Sequence, residues 1–134
     1  MNHVVSERGW SLRLIDGWTH KHEEYEELLT PPDGGPGITI FTSKIDGGMT
    51  ESDLRYFSRD HSEDGHAPEQ VKLGDFHGLA FRYVEDDIYY RHWYVACGNT
   101  WLQINYDCKV FHQGHHDSAI DRILRSLVAD VAAI

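Results

Sequence analysis

The sequence predicts an α+β fold: an antiparallel β-sheet of about six strands, with a C-terminal amphipathic helix on one face and a short helix on the other. The first observation is a run of three strand candidates, at residues 76–84, 88–97 and 101–108, which are rich in β-branched and aromatic residues. Short polar connectors separate them at residues 85–87 and 98–100. Because connectors this short join antiparallel neighbours, the three segments are predicted to form a meander.

The second observation is a single apolar stripe near the C-terminus. Six apolar residues recur there at helical spacing: Ile120, Ile123, Leu124, Leu127, Val128 and Val131. Asp117 lies in the first turn, where it complements the helix dipole, and Asp121 and Arg125 are predicted to pair on the solvent side. The stripe needs apolar cover, so the helix is predicted to pack on the meander.

Weaker strand patterns occupy the first half of the chain. Residues 10–14 alternate apolar and polar side chains, as a half-buried strand does. Four glutamates in residues 21–30 favour helix, but the Pro31-Pro32 pair that follows favours an extended segment, and a strand is predicted there. Residues 38–45 have the β-branched and aromatic composition of a strand.

A short helix is predicted after the glycines at residues 47 and 48. Thr50 is a candidate N-cap, and Asp53 stands at the third helical position of a capping box. Leu54 and Phe57 give this helix an apolar stripe, and it is expected to end before the polar loop that begins at Ser62.

The composition indicates one acidic folded domain over residues 1–134. The chain is 40% hydrophobic, and 22 acidic residues against 12 basic ones give a formal charge of -10. A field of this sign repels phosphate backbones and anionic lipid, so neither a nucleic-acid nor a membrane partner is expected. The sequence contains no apolar run of about 18 residues and no N-terminal signal pattern, which predicts a cytoplasmic protein.

The two cysteines are predicted to be free thiols. In the expected hairpin, Cys97 faces about Trp101 and Cys108 faces about Tyr90. This places the sulfurs roughly 23 Å apart, at about 3.3 Å per residue. A disulfide requires Cα atoms within about 7 Å.

Aromatic residues on the strand at 88–97 define the candidate binding surface. Both faces of this strand are apolar or aromatic, which is typical of a strand covered on both sides. The short helix is expected to cover its face incompletely, and an incompletely covered aromatic face is a candidate binding surface. The candidate binding residues are Tyr90, His92, Tyr94 and Trp101.

No catalytic residue, metal ligand set or cofactor is predicted. The densest group among the ten histidines, at residues 112–116, places neighbouring rings in diverging directions, and His20 and His22 have no evident third ligand. Cys97 and Cys108 lack the setting that activates a thiol. The acidic residues at 85–87 are typical of a solvated turn. Enzyme activity is therefore not expected.

The order of elements resembles the PsbP-like α/β/α sandwich, a fold shared with a Ran-binding nuclear-import factor and several bacterial families of unknown function. The resemblance covers about residues 8–128, from the Gly17-Trp18 turn through the Thr50-capped helix and the strand that begins Phe76-His77-Gly78-Leu79 to residues 123–127. It implies a non-enzymatic domain that binds proteins, such as a bacterial immunity protein or an effector-associated adaptor or chaperone.

Two functional hypotheses follow. The first is a protein-binding domain whose partner offers a basic or apolar surface, with a homodimer left open. The second is a small-molecule binder or minor enzyme that uses a pocket on the aromatic face, near Tyr90, His92, Tyr94 and Trp101.

Overall fold

Ten strands, three α-helices and one 3-10 helix make up the computed structural model, which describes residues 2–6, 8–15 and 17–130. In chain order they are β1 (Asn2–Ser6), β2 (Trp10–Leu14), β3 (Thr19–His22), β4 (Glu26–Thr30), β5 (Ile38–Lys44), α1 (Glu51–Phe57), α2 (Arg59–Glu63), β6 (Glu69–Leu73), β7 (Phe76–Glu85), β8 (Ile88–Cys97), β9 (Thr100–Lys109), the 3-10 helix η1 (Val110–His112), α3 (Asp117–Arg125) and β10 (Val128–Ala129).

The main sheet has seven antiparallel strands in the order β3-β4-β5-β9-β8-β7-β6. This confirms the α+β class with an antiparallel sheet, with one strand more than expected. Strand β6 was not predicted, because its sequence Glu-Gln-Val-Lys-Leu is polar and only Leu73 is fully buried. The segment at 21–30 is extended as predicted, but it contains two strands that pair across the turn near Tyr25.

The predicted meander is present as β7, β8 and β9. Strand β9 begins one residue earlier than expected, because the turn after β8 has two residues rather than three. Cys97 therefore pairs with Thr100 and Cys108 with Tyr89, so the predicted partners Trp101 and Tyr90 were each one residue off. Both thiols are free, as predicted.

A second, three-stranded sheet is formed by β1, β2 and β10, so the predicted first strand does not belong to the main sheet. A buried carboxylate helps to join the two sheets. Glu27 on β4 is fully buried, accepts a 2.6 Å hydrogen bond from Ser6 Oγ and lies 2.9 Å from His20 Nε2. Arg8 NH1 and His22 Nδ1 lie 3.6 and 3.7 Å from the same carboxylate.

Helix α3 packs on one face of the main sheet, as predicted. Ile120, Ile123 and Leu124 are fully buried in a cluster with the inward residues of both sheets. The predicted stripe was too long, however, because the helix ends at Arg125. Val128 instead pairs with β2 and is half exposed, and Val131 lies outside the described residues.

The two short helices lie on the opposite face of the sheet. Thr50 and Asp53 form the predicted capping box, with reciprocal hydrogen bonds of 2.9 and 3.1 Å. A second short helix follows at once and runs to Glu63, two residues into the predicted loop. Leu54 is buried beneath α1, whereas Phe57 is 48% exposed, so only half of the predicted stripe is buried. None of the helices in the described ranges is long and apolar enough to span a membrane.

Candidate functional site

The four predicted binding residues lie on one face of the main sheet, the face that carries α1 and α2. Tyr90, His92 and Tyr94 alternate along β8, and Trp101 on β9 is paired with Ala96, so its side chain lies on the same face. Tyr94 is buried, and the other three are partly buried. The predicted pairing of Trp101 with Cys97 would have put this side chain on the opposite face, and the two-residue turn after β8 brings it onto this one.

A histidine from α2 covers the centre of this face. His61 Nδ1 lies 2.9 Å from the Tyr83 hydroxyl, and its Nε2 lies 2.8 Å from the Tyr94 hydroxyl. Its ring stacks on His92 with centroids 4.5 Å apart, and His92 Nδ1 is 2.8 Å from Asn105 Oδ1. Sequence reasoning missed His61, Tyr83 and Asn105. Only the position of His61 on the helix, facing the sheet, distinguishes it from the protein's other histidines.

Burial shapes the protonation of this cluster. It lowers the pKa of His61, with further lowering by the neighbouring His92 and His66, and it also lowers the pKa of His92. Burial raises the pKa of Tyr94 to about 12 and raises that of Tyr83 as well. At neutral pH the cluster therefore consists of neutral rings. A neutral imidazole has one donor and one acceptor nitrogen, which together match two tyrosine hydroxyls.

These lowered histidine pKa values predict acid sensitivity. Below an ordinary imidazole pKa of about 6.5, the unfolded chain binds protons that the folded chain does not bind at His61 and His92, so the free energy of unfolding should fall as pH drops from about 7 to 5. Urea unfolding at several pH values measures this slope. In the double variant His61→Gln and His92→Gln the slope should be shallower over this interval. An unchanged slope would mean that other groups cause it.

The outer end of the same face is an aromatic patch, formed by Phe41, Tyr56, Phe57 and Trp101. Phe57 stacks on Trp101 with centroids 5.2 Å apart, and Tyr56 meets Phe57 edge-on at 5.5 Å. Phe41 lies on the same face, because it is paired with Gln103, two residues along β9 from Trp101. Tyr56 and Phe41 are 59% and 37% exposed, so the patch offers several rings to solvent.

A cavity of about 370 Å³ opens on this face between α1 and β7, next to Ala96, the strand partner of Trp101. Its lining includes Met49, Leu54, His77 and Cys97, and none of the four predicted binding residues. Burial, and then the charge of Asp75, raises the pKa of the Cys97 thiol. A thiol in this state is a poor nucleophile.

A cleft of about 470 Å³ lies on the opposite face, between α3 and the strands β6 to β8. Arg91 lies in it, buried, with its guanidinium 4.6 Å from the centre of the Trp93 ring. It donates to Asp121 at 2.9 Å and to Asp117 at 3.4 Å, and Arg82 lies 3.5 Å from Asp117. The predicted solvent-side residue Asp121 therefore pairs with a buried arginine. Basic side chains nevertheless outnumber acidic ones in the lining of this cleft.

Known proteins resemble this chain in structure but not in sequence. No protein family model matches the sequence, and no curated protein sequence is significantly similar to it. Among solved structures, a protein from Bacteroides thetaiotaomicron VPI-5482 aligns with a TM-score of 0.69 and 17% identity, over 95% of this chain and 47% of its own. The present chain thus spans about half the length of that protein.

Two further structures carry descriptive names. LpqN of Mycobacterium tuberculosis, described as involved in cell envelope biogenesis, aligns with a TM-score of 0.58 and 15% identity, over 90% of this chain and 83% of its own. Cyanobacterial PsbP (CyanoP) of Synechocystis sp. PCC 6803 aligns with a TM-score of 0.50 and 12% identity, over 96% of this chain and 91% of its own. The fold is PsbP-like. At these identities the PsbP-like sandwich is all that the likeness shows, because one fold hosts many functions.

Proposed function

We propose that this chain is a non-enzymatic, PsbP-like domain that binds a protein partner through the aromatic patch. The stacked pair of Phe57 and Trp101 carries the proposal. Phe57 is 48% exposed, and its ring is held in place by stacking on Trp101 with centroids 5.2 Å apart. Exposed, pre-positioned aromatic side chains are enriched at the centres of protein interfaces, because they bury large areas at a small entropic cost.

The charge around the patch indicates the chemistry of the partner. Residues 51–64, which form the two helices beside the patch, contain five acidic residues and two basic ones, and the whole chain carries -10. One of the two basic residues, Arg59, is stacked over Tyr56 at 4.1 Å. A partner segment with apolar side chains flanked by lysine or arginine would complement both the rings and the field.

The small-molecule alternative has less support on this face. The cavity there is lined by none of the four predicted binding residues, and His61 covers the rings at the centre of the face. Within the protein-binding class, an immunity protein and an effector-associated adaptor would use the patch in the same way. The identity of the partner distinguishes them, because the first holds a toxin and the second a secreted effector.

Capture from a native extract tests the proposal. The immobilised wild-type chain should retain a stoichiometric, basic partner, and Phe57→Ser should lose most of it, because the substitution removes the exposed ring and uncovers Trp101. Loss of one buried aromatic anchor costs about 2 kcal/mol or more, which is roughly 30-fold in affinity. Titration of the identified partner by calorimetry gives this ratio.

Phe111→Ser is the matched control. Phe111 is 75% exposed on η1, outside the patch, so its replacement changes surface hydrophobicity equally without touching the proposed interface. The partner should bind this variant as it binds the wild type. Equal loss in both variants, or the absence of any stoichiometric partner, would contradict the proposal.

A further inference from the structure

Three side chains remote from the aromatic patch bring potential metal ligands together. Asp33 lies in the loop between β4 and β5, and His115 and His116 immediately precede α3. Asp33 Oδ2 is 3.1 Å from His116 Nε2 and 3.7 Å from His115 Nε2, and the three ligand atoms lie within 4.8 Å of one another. Adjacent histidines were expected to diverge. They converge because they lie in the turn before the helix rather than within it.

Neighbouring groups hold two of these side chains in place. The backbone N–H of Gly35 donates a 2.8 Å hydrogen bond to Asp33 Oδ1, which leaves Oδ2 directed towards the imidazoles. The His116 side chain is only 14% exposed, and its ring lies edge-on to Trp18 with centroids 5.8 Å apart. Oriented carboxylate and imidazole groups are what a metal site requires.

We propose that Asp33, His115 and His116 bind Zn²⁺, with a fourth coordination position left open. Two imidazoles and one carboxylate form a donor set that zinc accepts, whereas calcium and magnesium favour oxygen ligands alone. Zinc bonds of about 2.0–2.1 Å in tetrahedral geometry separate ligand atoms by roughly 3.3 Å, close to the distances from Asp33 Oδ2. The metal would tie the loop between β4 and β5 to the start of α3, a connection independent of the aromatic patch.

Calorimetric titration of the full metal-free chain with ZnCl₂ tests this site. The wild type should bind one Zn²⁺, and His116→Ala should weaken the affinity at least about 10-fold. Asp33→Asn should do the same while its amide oxygen can still accept the hydrogen bond from Gly35, which separates loss of the ligand from loss of the loop structure. Zinc should also raise the thermal midpoint of the wild type by several degrees, but not that of either variant.

His112→Ala is the control within the same histidine-rich segment. His112 is exposed on η1 and is not a member of the three-residue group, so its replacement should leave zinc affinity unchanged. If His112→Ala weakens binding as much as His116→Ala, the segment binds metal without the proposed geometry. If the wild type binds no zinc at micromolar concentration, the three residues form only an ion-pair cluster. Either result overturns the proposal.

Discussion

Replacing Gly74 with alanine should destabilise the protein by about 2–4 kcal/mol. Gly74 lies in the turn between β6 and β7, with φ at +61°. A Cβ atom there would overlap the carbonyl oxygen of Leu127 and lie 3.1 Å from that of Arg125. The same turn is hydrogen-bonded to the segment after α3, since Asp75 N donates to Leu127 O and Ala129 N donates to Asp75 Oδ2. The substitution therefore forces α3 and β10 away from the sheet.

Gly65→Ala separates this close approach from backbone strain. Gly65 also has a positive φ, +92°, but a Cβ atom there meets nothing within 4 Å. Its replacement should cost only the left-handed backbone penalty, about 1 kcal/mol. Urea unfolding followed by circular dichroism compares the two variants. Equal losses would show that contact with Leu127 is not the cause.

The meander and α3 could be predicted because each rests on a local pattern. Strand β8 has aromatic and β-branched residues between turn signals, and the buried positions of α3 repeat at helical spacing. The end of α3 could not be predicted in this way, because Leu127 and Val128 continue the same periodicity. Pairing of Val128 and Ala129 with β2, about 117 residues earlier in the chain, ends the helix there, and no local pattern records it.

The candidate site shows the same division between local and distant information. Tyr90, His92 and Tyr94 could be placed on one face because strand residues alternate. The predicted pairing of Trp101 with Cys97 put Trp101 on the opposite face, and only the shorter turn in the structure pairs it with Ala96. The contacts of His61 with Tyr83 and Tyr94 depend on how α2 lies across the sheet. The approach of Asp33 to His116 likewise joins residues 83 positions apart. Tertiary packing alone sets these positions.

Trp93→Ala should have the largest effect on stability, a loss of about 3–5 kcal/mol. Trp93 is 2% exposed at the centre of β8, where it is paired with Ala80 and Ile104 beneath α3. Its removal leaves a cavity in the main core and takes away the ring that supports the buried Arg91. If the alanine variant does not fold, Trp93→Leu should show a smaller loss of the same kind.

Trp101→Ala also removes a tryptophan side chain, but from the face of the sheet that carries α1 and α2. Trp101 is only partly buried, so its loss should cost about 1–2 kcal/mol, in proportion to the apolar area that it hides. Trp101→Ala should weaken partner binding more than it lowers stability, because Phe57 loses the ring on which it stacks. Trp93→Leu, once folded, should bind the partner almost as the wild type does. Substitution of Trp93 is thus expected to affect mainly stability, and substitution of Trp101 mainly partner binding. The reverse pattern, with weak binding after Trp93→Leu and normal binding after Trp101→Ala, would place the interface on the α3 face instead.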